Sequence, residues 1–192
     1  MHTLIFATNN RNKVAEIQSL VGNKYAIIPL KEAGIDIDIP EPHDQLEANA
    51  LEKAMTIFNM TSQNCFSEDT GLEIEGLGGA PGVKSARYAG DNSNSQANID
   101  LVLSRMTGIE NRSAQFRTVI CLIWKDQTYY FEGICKGQIL SHMQGENGFG
   151  YDPIFVPDGA SKSFANMTME EKNQFSHRKK AVTQLFEFLD KV

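Results

Sequence analysis

The chain has 192 residues, 41% of them hydrophobic, enough to bury a sizeable core as one domain or as two lobes around a cleft. Its 18 Lys and Arg stand against 24 Asp and Glu, a formal net charge of −6, so the field of the whole molecule repels nucleic acid and anionic membranes, and a polyanion has to be held by a local basic site or a metal. No stretch approaches the length of a bilayer span, and the opening apolar run Leu4-Ile5-Phe6-Ala7 is too short for a signal-peptide core. Cys65, Cys121 and Cys135 are widely spaced in apolar surroundings, which suits buried thiols in a reducing compartment and makes the cytoplasm the expected address.

Short apolar runs alternate with amphipathic ones without repeat or linker, the pattern of an α/β domain, and residues 1–192 are expected to form a single domain. Thr3 to Ala7 reads as a strand, followed by a polar turn and a helix in which Val14, Ile17 and Val21 share a face and Gly22 supplies the stop. Tyr25 to Leu30 reads as a second strand. Leu46 to Met60 reads as a helix with Leu51, Met55 and Phe58 inward and Glu47, Glu52 and Lys53 partly outward. Cys65-Phe66-Ser67 is expected to be a short buried strand ending in Glu68-Asp69-Thr70, and the segment with Gly78, Gly79, Pro81 and Gly82 a tight loop with special backbone angles. Ser95 to Met106 is a predicted helix with Ile99, Val102 and Met106 on one stripe, closed by Gly108. Ala114 to Trp124 and Thr128 to Leu140 read as an antiparallel hairpin turning at Lys125-Asp126-Gln127, so the sheet is expected to be mixed. Thr168 and Glu171 have capping-box spacing, and a last helix turns Val182, Leu185, Phe186 and Leu189 inward.

Four segments offer chemistry. Thr8-Asn9-Asn10-Arg11-Asn12-Lys13 joins a strand to a helix start, whose backbone N–H groups and positive dipole end hold phosphate, with Lys13 adding a mobile charge. It lacks the spacing of a Walker loop, and standing alone it reads equally as a polar turn with Asn caps. The acidic group Glu41, Glu47, Glu68 and Asp69 includes a pair at a strand end, where carboxylates hold Mg²⁺ or take a proton from water. An adjacent acidic pair is ordinarily just solvated; the Thr70-Gly71 that follows and the glycine-rich loop behind it shift the balance. In Gly148-Phe149-Gly150-Tyr151-Asp152-Pro153 the flanking glycines clear space for a flat ring on Phe149, and Asp152 can bond to a base edge. Lys172 with Ser176-His177-Arg178, backed by Lys179 and Lys180, makes a cationic helix start, which is unfavourable for the macrodipole and points either to a solvated face or to an anionic or carbonyl-bearing ligand.

Together with Leu77 to Gly82 and Ser85-Ala86-Arg87-Tyr88, and in this order, these motifs resemble the inosine triphosphate pyrophosphatase family, also described as dITP/XTP pyrophosphatases, over nearly the whole chain. The resemblance implies an elongated α/β fold with a central mixed twisted sheet flanked by helices, two lobes with a nucleotide cleft between them, and a homodimer. It implies Mg²⁺-dependent hydrolysis of ITP, dITP and XTP to the monophosphate and pyrophosphate, cleansing the nucleotide pool. It assigns catalysis to Asp69, assisted by Glu68 and Lys13, and metal binding to Asp69 and to Glu41, in a stretch whose acidic residues align with the family in more than one way. Thr8, Asn9, Asn10, Arg11, Asn12 and Lys13 would hold the triphosphate, and Thr70 the phosphates or sugar. Phe149 would stack on the purine, with Gly150, Tyr151, Asp152, Lys172, His177 and Arg178 around it. Donors from His177 or Arg178 would favour the six-carbonyl of hypoxanthine or xanthine over the six-amino group of adenine. Alternative readings are a pyrophosphatase of modified pyrimidine nucleotides, a nucleotide-binding regulator without turnover, and, against the net charge, a nucleic-acid binder using the basic patch at Lys172 to Lys180.

Overall fold

A computed structural model describes residues 2–21 and 25–192; the helix stop expected at Gly22 lies outside them. In chain order the elements are β1 (His2–Phe6), α1 (Arg11–Leu20), β2 (Tyr25–Pro29), α2 (Leu46–Thr61), β3 (Cys65–Ile74), β4 (Pro81–Gly82), α3 (Ser95–Arg105), β5 (Ser113–Trp124), β6 (Gln127–Ile139), β7 (Phe155–Pro157), α4 (Met169–Phe175) and α5 (His177–Leu189). The strands are ordered β2-β1-β3-β5-β6-β7, with β4 pairing with β3. The sheet is mixed, as expected: β1 runs parallel to β2 and to β3, while β3 with β4 and β6 with β7 are antiparallel.

The chain forms two compact units, one from Met1–Asp69, Thr118–Gly133 and Arg178–Val192, the other from Thr70–Arg117 and Ile134–His177. Each has its own core. In the first, Leu4, Phe6, Ile17, Phe66, Ile120, Leu122, Val182 and Leu185 pack together, with Phe6 and Phe66 stacked at 4.5 Å between ring centroids. In the second, Leu72 and Ile74 of β3, Ile99 and Val102 of α3 with Met106 at its C-cap, and Phe116, Ile139, Phe155 and Phe164 form the cluster. Cys65, Cys121 and Cys135 are buried and form no disulfide, and Cys135 belongs to the second core. Among the described residues no helix is long and apolar enough to cross a membrane.

Three expectations are corrected. First, α2 turns a different face inward: Leu46, Asn49, Ala50, Lys53, Ala54 and Ile57 are buried, whereas Met55 is exposed. The reason is close approach to β3. Small Ala50 and Ala54 allow it, and their carbonyls accept hydrogen bonds from the Ser67 hydroxyl and, at 3.3 Å, the Cys65 thiol. Weighting the stripe by large apolar residues misses a contact built on alanines. Second, β3 does not run out at Glu68; it continues through Glu68, Asp69 and Thr70 to Ile74. Third, the C-terminal helical region is two helices, broken at Ser176, whose ψ of 123° is not helical.

Other local signals hold. The Thr168 and Glu171 capping box forms, with Glu171 N donating to Thr168 Oγ1 and Thr168 N donating to Glu171 Oε2. The hairpin turns on two residues, Lys125 and Asp126, both at positive φ (49° and 63°), the geometry that matches the twist of antiparallel strands. In the glycine-rich loop Gly78, Gly79 and Gly82 all take positive φ. Gly71 is required by packing: a Cβ there would lie 2.7 Å from the carbonyl oxygen of Gly82.

Candidate active site

In the first unit, β3 lies between β1 and β5, so it is an interior strand paired along both edges. Successive strand side chains point to opposite faces, which sends Glu68 one way and Asp69 the other. Both are buried, at 2% and 5% exposure.

Glu68 meets Arg178, which opens α5. The guanidinium grips it bidentately, Nε to Oε2 at 2.8 Å and Nη2 to Oε1 at 2.9 Å, and also pairs through Nη1 with the buried Glu16 of α1. Lys13 Nζ adds an ion pair to Glu68 at 3.2 Å. Burial by itself would raise the Glu68 carboxyl, but Arg178 and then Lys13 outweigh it and hold it down to about 2.

Asp69 meets α2. Asn49 Nδ2 donates to its Oδ2 at 3.3 Å, and Lys53 Nζ lies 3.4 Å from its Oδ1. Lys53 is shared with Glu41, to which it also donates. Burial dominates at Asp69 and raises its carboxyl above the usual range, with Glu41 adding to the shift and Lys53 and Lys13 opposing it. At Lys53 the order reverses: burial disfavours the ammonium, yet Asp69 and Glu41 raise it and keep it charged. Two neighbouring carboxyls are thus driven apart, Glu68 down and Asp69 up, the arrangement by which one site holds both a fixed anion and a proton acceptor. Around the pair, Glu16, Glu41, Glu68 and Asp69 meet Lys13, Lys53 and Arg178, with Asp69 and Glu41 sharing the Lys53 ammonium.

The turn between β1 and α1 is partly occupied by its own side chains. Asn10 is the N-cap of α1, its Oδ1 accepting from Asn12 N at 3.0 Å and Lys13 N at 3.2 Å, while Thr8 Oγ1 accepts from Asn10 N and Asn9 Nδ2 donates to Ile37 O. Fewer backbone donors are therefore left for phosphate than the bare helix start implies. Arg11 and Asn12 are exposed and Lys13 half-buried.

The unit boundary falls between Asp69 and Thr70 and again between His177 and Arg178, so the second unit holds the remaining residues. Thr70 is half-buried on β3. Phe149 and Gly150 are half-buried in a loop whose base is Asp152, buried at 3% exposure and paired with Lys172 Nζ at 2.7 Å. Tyr151 is a core residue; its hydroxyl donates to Ser85 O at 2.8 Å, and burial pushes it well above the usual phenol range. Ser85, from the Ser85 to Tyr88 motif, also takes Leu72 N and donates to Gly82 O, so it latches the glycine-rich loop to β3. His177 is buried and stacks on Phe116, with ring centroids 4.7 Å apart and planes 14° from parallel.

Glu16, Asn49 and Lys53 are the members of the cluster that sequence reasoning did not select. Asn49 and Lys53 had a readable signal: spaced four apart, they share a stripe with Ala50, Ala54 and Ile57. Asn49 also grips the chain beside Glu41, accepting from His43 N at 2.9 Å and donating to His43 O at 3.0 Å.

Sheet and cluster together define an α/β protein with a charged centre built into a central strand. The chain belongs to the Ham1 family, whose model matches residues 4–188. It is 48% identical to a dITP/XTP pyrophosphatase of Porphyromonas gingivalis and 46% identical to one of Flavobacterium johnsoniae, over 98% and 97% of this chain and equal shares of theirs. Among solved structures it is similar to a Ham1 protein of Coxiella burnetii, at 34% identity and a TM-score of 0.90 over the whole of both chains, and to that of Staphylococcus aureus, at 36% and 0.89 over 98% of each. The resemblance drawn from the motifs is borne out.

Proposed function

We propose that the chain hydrolyses aberrant purine nucleoside triphosphates, those of inosine, deoxyinosine and xanthosine, to the nucleoside monophosphate and pyrophosphate with Mg²⁺. The observation that carries the reading is the Asp69 environment: a buried carboxyl of weakened acidity, beside a second carboxylate, with Lys13 and Lys53 at hand, in a chain close to proteins named dITP/XTP pyrophosphatases.

In this reading Asp69 takes the proton of the attacking water at a carboxylate oxygen, a role that wants a carboxyl raised above its ordinary range. Glu68, kept ionised by Arg178, fixes Lys13, which with the Thr8 to Asn12 turn holds the triphosphate; Lys53 joins them from α2. Thr70 contacts phosphate or sugar. Among the described residues no three His, Cys, Asp or Glu side chains are grouped to hold a metal. The oxygen donors Asp69 and Glu41, which meet at the Lys53 ammonium, suit Mg²⁺, an ion held by one or two carboxylates and completed by water and substrate phosphate. Bound there, Mg²⁺ would offset charge on the phosphate oxygens. Phe149 stacks on the purine, within the Phe149 to Asp152 loop that Tyr151 anchors. We assign the six-carbonyl contact to His177, whose ring Phe116 orients, and give Arg178 to Glu68 and Glu16. A homodimer in the cytoplasm belongs to the same reading.

A substrate panel of ITP, dITP, XTP, GTP, ATP and dUTP, assayed with Mg²⁺ and with chelator, tests it by measuring pyrophosphate separately from orthophosphate. Pyrophosphate from ITP, dITP and XTP in the Mg²⁺ arm alone is expected; preferential turnover of dUTP would favour the pyrimidine alternative, and orthophosphate as the first product would overturn the chemistry. Phe149→Ala is expected to raise KM for ITP about tenfold, the scale of one lost base stack, with a smaller change in kcat. Unchanged affinity would remove the stacking role.

A further inference from the structure

The loop that carries Phe149 is closed by a reciprocal pair of hydrogen bonds: Phe149 N donates to Asp152 Oδ2 at 3.0 Å, and Asp152 N donates to Phe149 O at 3.2 Å. The same Oδ2 accepts from Lys172 Nζ at 2.7 Å. That ammonium lies 5.1 Å from the centroid of the Phe149 ring and 5.3 Å from that of Phe164, a cation held between two aromatic rings. Both partners of the ion pair are buried, with side-chain exposures of 6% for Lys172 and 5% for Asp152. One oxygen atom therefore ties together the backbone that sets the ring and the charge that lies over it. Gly148 completes the arrangement. It sits at φ +77°, and a Cβ placed on it would lie 2.1 Å from Asp152 Oδ2, so any side chain at 148 displaces that oxygen.

We infer that Asp152 is a positioning residue that presents the Phe149 ring and the Lys172 ammonium to the base, acting through them and not by reading the base edge, and that Gly148 is required to leave room for its carboxylate. With 5% side-chain exposure the Asp152 carboxylate presents little of itself to a ligand, and Coulomb attraction in a buried setting makes Lys172 a strong partner. The inference rests on the purine reading above. It adds that recognition of the base depends on a preorganised loop, whose geometry one anion sets before the nucleotide arrives.

The test is a double-mutant cycle between Asp152→Ala and Phe149→Ala, read as KM and kcat for ITP and as the inhibition constant of inorganic tripolyphosphate, which carries no base. Asp152→Ala is expected to raise KM for ITP about tenfold, the scale of a lost hydrogen bond to a charged group, with a smaller change in kcat and no change for tripolyphosphate. In the Phe149→Ala background its effect should shrink to about twofold, because a residue acting through the ring has nothing left to position. Gly148→Ala should reproduce Asp152→Ala. Asp152→Asn, which keeps an oxygen for Phe149 N–H but loses the charge facing Lys172, should fall between, and it carries the cycle if the alanine variant does not fold. Additive effects in the cycle, or a tripolyphosphate constant that moves in step with KM, would overturn the inference. A wild-type chain that releases no pyrophosphate from ITP or XTP fails the purine reading instead. Amide exchange at Phe149 then decides the positioning role separately: slow in the wild type and fast in Asp152→Ala supports it, equal rates reject it.

Discussion

Asp69→Asn is expected to lower kcat for ITP by about 10³-fold while nucleotide binding stays measurable, the loss that follows removal of a general base. The substitution is nearly isosteric, and its amide oxygen can still accept from either Asn49 or Lys53, which bond to different oxygens of Asp69, so one of the two hydrogen bonds is kept and one is lost. What disappears is a basic oxygen and one negative charge. Steady-state kinetics with titration calorimetry of ITP binding checks both parts, and retained turnover would exclude Asp69 as the base. Glu68→Gln should behave differently. Its carboxylate is bound into a cation pair, so its replacement disturbs Arg178 and Lys13 before it touches proton transfer.

Arg178→Met should cost stability first, by about 3–5 kcal/mol, because it strands buried carboxylates without their counter-charge. The guanidinium has 2% exposure and serves both Glu68 and Glu16, and Lys13, at 17% side-chain exposure, would be left as the ion-pair partner of Glu68 among the described residues. Arg178→Lys should rescue little, since an ammonium cannot supply the parallel pair of bonds to Glu68 and a third to Glu16 together. Chemical denaturation of the two variants measures this. A variant of wild-type stability whose KM alone rises would return Arg178 to the base edge.

Much of the fold was legible in local signals. Periodicity located β1, α3 and the β5–β6 hairpin within a residue or two, and the capping box at Thr168 formed as written. The face of α2 was not legible by apolar size, because alanines let the helix settle close to β3 and turned a lysine and an asparagine inward with them. Nor was the true extent of β3: acidic residues ordinarily end a buried strand, and Glu68 and Asp69 can lie inside one only where cations from other segments meet them. Tyr151 read as part of a ligand loop because it follows the glycine-flanked Phe149, yet the chain uses its hydroxyl to seat that loop on Ser85.

By itself the sequence determined the alternation of strand and helix, the glycine-rich turns and the motif order that identifies the family. Tertiary structure alone decided the pairing of charges. Arg178 reaches Glu68 across 110 positions and Glu16 across 162, distances over which no periodicity or spacing rule operates. Hydrophobic patterning is repeated at every turn of a helix and every second residue of a strand, so it leaves a trace along the chain. An ion pair involves two atoms that only the folded backbone brings together, and burial then sets its energy.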